Sequence, residues 1–146
     1  MFNRKKTSFH QIQILSCTLI IMLFSLFCLN GCATDNDYPK TKDIDYTVVT
    51  GNEIPKELRK MIKERKDSAF ELSFSCDGEL YIVKGYGKQL SPEFSITVNE
   101  LYLSDNYIVF DTELYGPKNE TKSKTKSYPY IVVKTEYINK SIVFQI

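Results

Sequence analysis

Apolar positions are contiguous in the first 31 residues and alternate through most of the rest of the chain. Ile14 to Leu29 is an apolar run interrupted only by Ser16, Thr18 and Ser25. After a short polar stretch, Ile44 to Thr50 carries Tyr46, Val48 and Val49 and reads as a first strand, which Gly51-Asn52 breaks. From Pro55 to Lys66 the period becomes helical. Leu58, Met61 and Ile62 fall at i, i+3 and i+4 on one face, and Pro55 sits where a first turn tolerates it. Lys56, Arg59, Lys60, Lys63, Arg65 and Lys66 cover the remainder as the solvated side of an amphipathic helix.

After Asp67-Ser68 the period falls to two. Phe70, Leu72 and Phe74 alternate with Glu71 and Ser73, the pattern of a half-buried strand. Asp77-Gly78 is a tight-turn signal. Glu79 to Lys84 returns as the hairpin partner, with Leu80 and Ile82 on one face, and Gly85-Tyr86-Gly87 ends it. Pro92 lies in the next connection. Phe94, Ile96 and Val98 alternate again, and the phase slips at Asn99-Glu100 before Leu101 and Leu103, which predicts a bulge. Asp105-Asn106 turns the chain into a strand from Tyr107 to Leu114. Gly116 to Ser127 is a long polar connection, and Tyr128 to Lys134 and Ser141 to Gln145 are the last strands, joined through Asn139-Lys140. The pattern predicts an α+β fold: one helix packed on a strongly curved, mainly antiparallel sheet of about six or seven strands. Hairpin connectivity argues against a parallel, doubly wound nucleotide-binding sheet.

The N-terminal run has the parts of an export signal. Arg4, Lys5 and Lys6 precede it, and no acid occurs before Asp35. At about 16 residues it is shorter than the roughly 20 of a transmembrane helix. It ends in Leu29-Asn30-Gly31-Cys32, which resembles the processing box of bacterial lipoproteins at Leu29, Gly31 and Cys32 and departs from it at Asn30. The expected organisation is a signal peptide over 1–31, a lipidated Cys32 with a flexible tether over 32–43, and a single domain over 44–146. The acyl chains on Cys32, palmitate among them, would hold that domain on the cell membrane, facing away from the cytoplasm. An uncleaved N-terminal anchor helix is the alternative, and it leaves the domain on the same side.

Cleavage before Cys32 leaves 115 residues, enough for one domain with a core. It leaves 16 basic and 18 acidic side chains, a balance that argues against nucleic acid as a partner. Cys17 and Cys28 depart with the signal and Cys32 takes the lipid, so Cys76 stands alone. The only histidine, His10, also departs. Ser-His-Asp and Cys-His hydrolysis lose their base, and zinc sites lose their usual ligands. No catalytic residue, metal or cofactor is therefore expected. Cys76 reads as a small residue near a hairpin end rather than a reactive thiol. Asp111 and Glu113 share one face of a strand and read as exposed polar surface.

The order of the pieces resembles the PrcB C-terminal-like domain, named for an accessory subunit of a surface protease complex. The likeness covers roughly Val48 to the end. It rests on the helix, the Asp77-Gly78 hairpin, the Gly85-Tyr86-Gly87 strand end, Gly116-Pro117, and above all Tyr128-Pro129-Tyr130-Ile131-Val132-Val133-Lys134. The usual Thr-Gly-Gly-Tyr turn is replaced here by Gln89-Leu90-Ser91-Pro92-Glu93-Phe94-Ser95. The resemblance implies a non-catalytic accessory lipoprotein that binds or regulates another exported protein, such as a protease. A peptidase-inhibitor domain, or an envelope lipoprotein without a dedicated partner, is the alternative. Candidate binding residues are Gly85, Tyr86, Gly87, Pro92 and Phe94. With them go Lys118, Lys122, Lys124 and Lys126 of the long polar connection, which reads either as a soluble loop or as a cationic contact for an anionic polymer, headgroup or acidic protein surface.

Overall fold

The structure is a computed structural model that describes residues 38–117 and 125–145. The signal peptide, Cys32, Lys118, Lys122 and Lys124 lie outside the described residues. Among the described residues, no helix is long and apolar enough to cross a membrane.

Among the described residues, eight strands form two sheets of four. The strands are β1 (Lys42–Asp43), β2 (Thr47–Val48), β3 (Ala69–Cys76), β4 (Glu79–Tyr86), β5 (Ser95–Leu103), β6 (Tyr107–Tyr115), β7 (Tyr130–Glu136) and β8 (Ser141–Gln145). Among the described residues the one α-helix, α1, is Lys56–Arg65 and follows a 3-10 turn at Gly51–Glu53. The first sheet runs in the order β1-β5-β6-β8 and the second β2-β7-β4-β3. All pairs are antiparallel except β6 with β8, which is parallel.

The α+β class holds, with the helix, both hairpins and the bulge where the pattern placed them. Asp77 and Gly78 both have positive φ (54° and 80°), the backbone a two-residue hairpin turn requires. The ladder between β5 and β6 slips between Val98 and Glu100. The single curved sheet, however, is replaced by two. The reason lies in the central strands: Leu80-Tyr81-Ile82-Val83 in β4, Ile108-Val109-Phe110 in β6 and Val132-Val133 in β7 are buried without a gap. A strand that buries consecutive residues needs cover on both faces, which one half-solvated sheet does not give.

That cover comes from three layers. Between the sheets lie Leu80, Ile82 and Val133 from the second sheet and Leu101, Ile108 and Phe110 from the first, with Ile44. On the far face of the second sheet, Leu58 and Ile62 of α1 pack with Val49, Ile54, Tyr81, Val83 and Val132. Leu58 is fully buried, and a side chain of that size contributes roughly 2–3 kcal/mol on burial. The helix starts after Pro55, whose carbonyl accepts from the Arg59 N–H at 2.9 Å.

Three further expectations change. Ile44–Thr50 is not one strand but the passage between β1 and β2, which belong to different sheets. Tyr128 and Pro129 precede β7, which starts at Tyr130. The last two strands, joined through Asn139-Lys140, lie in different sheets: β7 is in the second, and β8 crosses to pair with β6. The stretch expected to be tether is also structured from Tyr38 on. Thr41 donates its amide to the Leu103 carbonyl at 2.8 Å, the Tyr38 ring meets Tyr107 edge-on at 5.4 Å, and the Tyr102 hydroxyl donates to the Tyr38 carbonyl at 3.1 Å. Lys40 bridges Asp43 and Glu100, and these carboxylates, the Asp43 hydrogen bond first, hold its ammonium pKa above the ordinary value.

Candidate binding surface

The sequence of the β4–β5 connection requires fixed backbone at two glycines. A Cβ on Gly85 would collide with the Phe70 ring across the β3–β4 ladder. Gly87 has φ +71°, and a Cβ there would lie 2.8 Å from the Ala69 amide nitrogen. Both residues are buried. Tyr86, between them, spans the two sheets: its hydroxyl lies 2.9 Å from the Thr112 carbonyl, to which it donates, and 2.8 Å from the Thr112 hydroxyl. These three residues hold the strand end in place rather than presenting side chains to a partner.

The connection beyond them is clamped to the chain entering β7. The Tyr86 amide donates to the Pro129 carbonyl at 3.0 Å. Gln89 and Ser127 exchange backbone hydrogen bonds at 2.9 and 3.1 Å, and the Gln89 side-chain amide donates back to the Tyr86 carbonyl at 2.9 Å. The Ser127 hydroxyl donates to the Ser91 carbonyl, while the buried Ser91 hydroxyl accepts from the Glu93 amide at 3.2 Å. Phe94 closes the far side, its ring so near Gly116 that a Cβ there would lie 2.9 Å from it. Hydrogen bonds thus replace the missing glycine turn as the source of a defined loop shape.

Between these anchors Leu90 projects outward, 70% exposed. Lys88, Pro92 and Glu93 are exposed beside it on the same connection, as is Lys126 on the facing segment. Lys66, just past α1, stands 4.4 Å from the centre of the Tyr128 ring. The product is an exposed apolar tip on a hydrogen-bonded connection, with Lys88, Glu93 and Lys126 exposed beside it. Of the expected site residues, Gly85, Tyr86, Gly87 and Phe94 shape this surface from within, and Pro92 and Lys126 are at its exterior. Leu90, Lys66 and Tyr128 also belong to this surface and are not among the expected contacts. The readable signal for Leu90 was a lone large apolar residue in an otherwise polar loop.

The remaining chemistry lies elsewhere. Asp111 and Glu113 line an open depression of about 620 Å³ with Asn99 and Gln145. Glu113 accepts from the Tyr115 hydroxyl at 2.7 Å, and this hydrogen bond raises the Tyr115 pKa. Cys76 is at the β3–β4 turn, at the other end of β4. Its thiol donates to Asp77 Oδ2 at 3.2 Å, which pushes its pKa up, with desolvation and the charge of Glu57 adding to the shift. Among the described residues, no three His, Cys, Asp or Glu side chains cluster in a way that could hold a metal.

Residues 80–136 match the family model described as PrcB C-terminal. The match runs from β4 through β7 and includes the whole clamped connection, but not α1. No curated protein and no solved structure matches the chain.

Proposed function

We propose that this chain, whose residues 80–136 match the PrcB C-terminal family model, is a non-catalytic, lipid-anchored module that binds another exported protein, a protease foremost. The observation that carries the reading is Leu90: an exposed apolar side chain held on a connection whose backbone is hydrogen-bonded on both sides. A tip that is ordered before binding loses little entropy when it docks. The lysines around it favour a partner surface with an apolar pocket and an acidic rim, and they speed encounter with it. The family's origin in a protease complex supports a protease as the first candidate partner.

The non-catalytic part rests on chemistry. No histidine follows Cys32. The one remaining thiol is held protonated by Asp77, the reverse of what an activated nucleophile needs. The membrane part rests on the lipoprotein-like box ending in Cys32. Five residues separate Cys32 from Tyr38, so lipid on Cys32 would keep the domain within about 20 Å of the bilayer. The bound partner would then be one that works at the membrane surface.

Gentle crosslinking of the tagged full-length chain in its host, followed by identification of co-purified proteins, tests the reading. One dominant exported protein, captured at least tenfold less by Leu90→Asp, is the expected result. Equal recovery with Leu90→Asp would remove this surface from the account. Slowed turnover of the captured protease would make the domain an inhibitor, and absence of any enriched protein would leave an envelope lipoprotein with no dedicated partner.

A further inference from the structure

Each sheet has two edges, and three of the four are short: β1 and β2 have two residues each and β8 has five. The fourth, β3, is eight residues long. It contains no proline and pairs with β4 without a register shift. Long regular edges invite pairing with another strand, and proteins ordinarily blunt them with bulges, prolines or charges. The only charge here is Glu71, which is already paired with Lys84.

The direction of the free backbone groups follows from the ladder. The hydrogen bond from Tyr86 to Pro129 turns the even residues of β4 toward β7. The odd residues Tyr81, Val83 and Gly85 therefore face β3, and their partners Phe74, Leu72 and Phe70 face back. Glu71, Ser73 and Ser75 are left with amide and carbonyl pointing outward. Their side chains are exposed as well. On the opposite face Phe70, Leu72 and Phe74 pack against the cluster that α1 forms with Tyr81, Val83 and Val132, yet at the sheet edge they remain only half-buried.

We propose that β3 pairs with β3 of a second copy of this chain, antiparallel about a two-fold axis at Ser73, to make one continuous eight-stranded sheet. The register is self-complementary. Ser73 meets its own equivalent, Glu71 meets Ser75, Leu72 meets Phe74 and Phe70 meets Cys76. No like charges stand opposite one another, and the outward amides of Glu71, Ser73 and Ser75 all find carbonyl partners. The apolar row of each copy extends the other's, covering the rings that α1 leaves half-exposed. The pairing leaves the clamped connection free to bind a partner, so it holds or fails independently of the proposed function.

The test uses the full-length chain solubilised from membranes in mild detergent. A photoreactive phenylalanine analogue at Ser75 is expected to give a dimer whose crosslinked peptide contains Glu71 of the second copy. Ser73→Lys and Ser73→Glu each place like charges at the axis and should each reduce that dimer at least tenfold. Co-expression of the two, differently tagged, should restore a Lys–Glu heterodimer to the unsubstituted level, which also shows that both variants fold. A monomer in the unsubstituted chain, an adduct to a different protein only, or a dimer that survives Ser73→Lys overturns the proposal.

Discussion

Lys84 and Cys76 show how neighbours set what a side chain does. Lys84 is 4% exposed, next to the Phe144 and Tyr86 rings, with Glu71 as its counter-charge. Glu71→Gln leaves that ammonium without its counter-charge and should lower stability by about 1–3 kcal/mol. Lys84→Met fills the same space without the cost of desolvating a charge and should be near neutral or stabilising. Urea unfolding of the chain from Ala33 onward checks both signs. For Cys76, Asp77 favours the protonated thiol. Alkylation by iodoacetamide should therefore require higher pH than for a free cysteine, and Asp77→Asn should shift its pH profile downward and speed the reaction at pH 8. An unchanged profile would mean the thiol and carboxylate do not meet in solution. The lone Cys76 was legible as a hairpin-end residue, but the Lys84–Glu71 pair was not, since 13 residues separate its members and only the β3–β4 register brings them opposite.

At the scale of elements, the hairpins and helix were readable because their signals are local: Asp77-Gly78 for a turn, Leu58, Met61 and Ile62 for a helical face. The division into two sheets was not. Leu80-Tyr81-Ile82-Val83 states that both faces of β4 are covered, but not by what, and the answer is a helix on one side and a second sheet on the other. The pairing of β8 with β6 is likewise invisible locally, because it depends on where β7 has already taken the chain. The β4–β5 connection is the element on which the candidate surface depends. Gly87→Ala adds a Cβ against backbone atoms at positive φ and should cost more than about 1 kcal/mol. Tyr86→Phe removes the hydroxyl bridge to Thr112 and should cost about 1 kcal/mol. Leu90→Asp, at an exposed tip, should change stability by less than about 0.5 kcal/mol. Thermal or urea unfolding that ranked Leu90→Asp with the two others would show the tip to be part of the core.

For the whole molecule, the three layers fix which surfaces remain for partners. α1 covers one face of the second sheet, the first sheet covers the other, and the segment from Tyr38 crosses the first sheet near Tyr102 and Tyr107. Among the described residues, the surfaces left open include the edge at β3, the clamped connection carrying Leu90 and the depression lined by Asp111 and Glu113. Sequence points to that connection through its glycines, proline and Phe94; of the residues it names, Gly85, Tyr86, Gly87 and Phe94 lie inside the connection, and Pro92 and Lys126 lie on its exterior. Leu90 stands out in sequence as a lone large apolar residue of a polar loop, but the hydrogen bonds that hold the backbone on either side of it are not legible there. The most direct test of the account is a photoreactive residue at Leu90, introduced into the full-length chain in its host and activated in intact cells. One predominant adduct with an exported protein, lost when the crosslinker is moved to the exposed Asn106 turn, is the predicted result. No adduct at Leu90, or the same diffuse set of adducts from both positions, would contradict it.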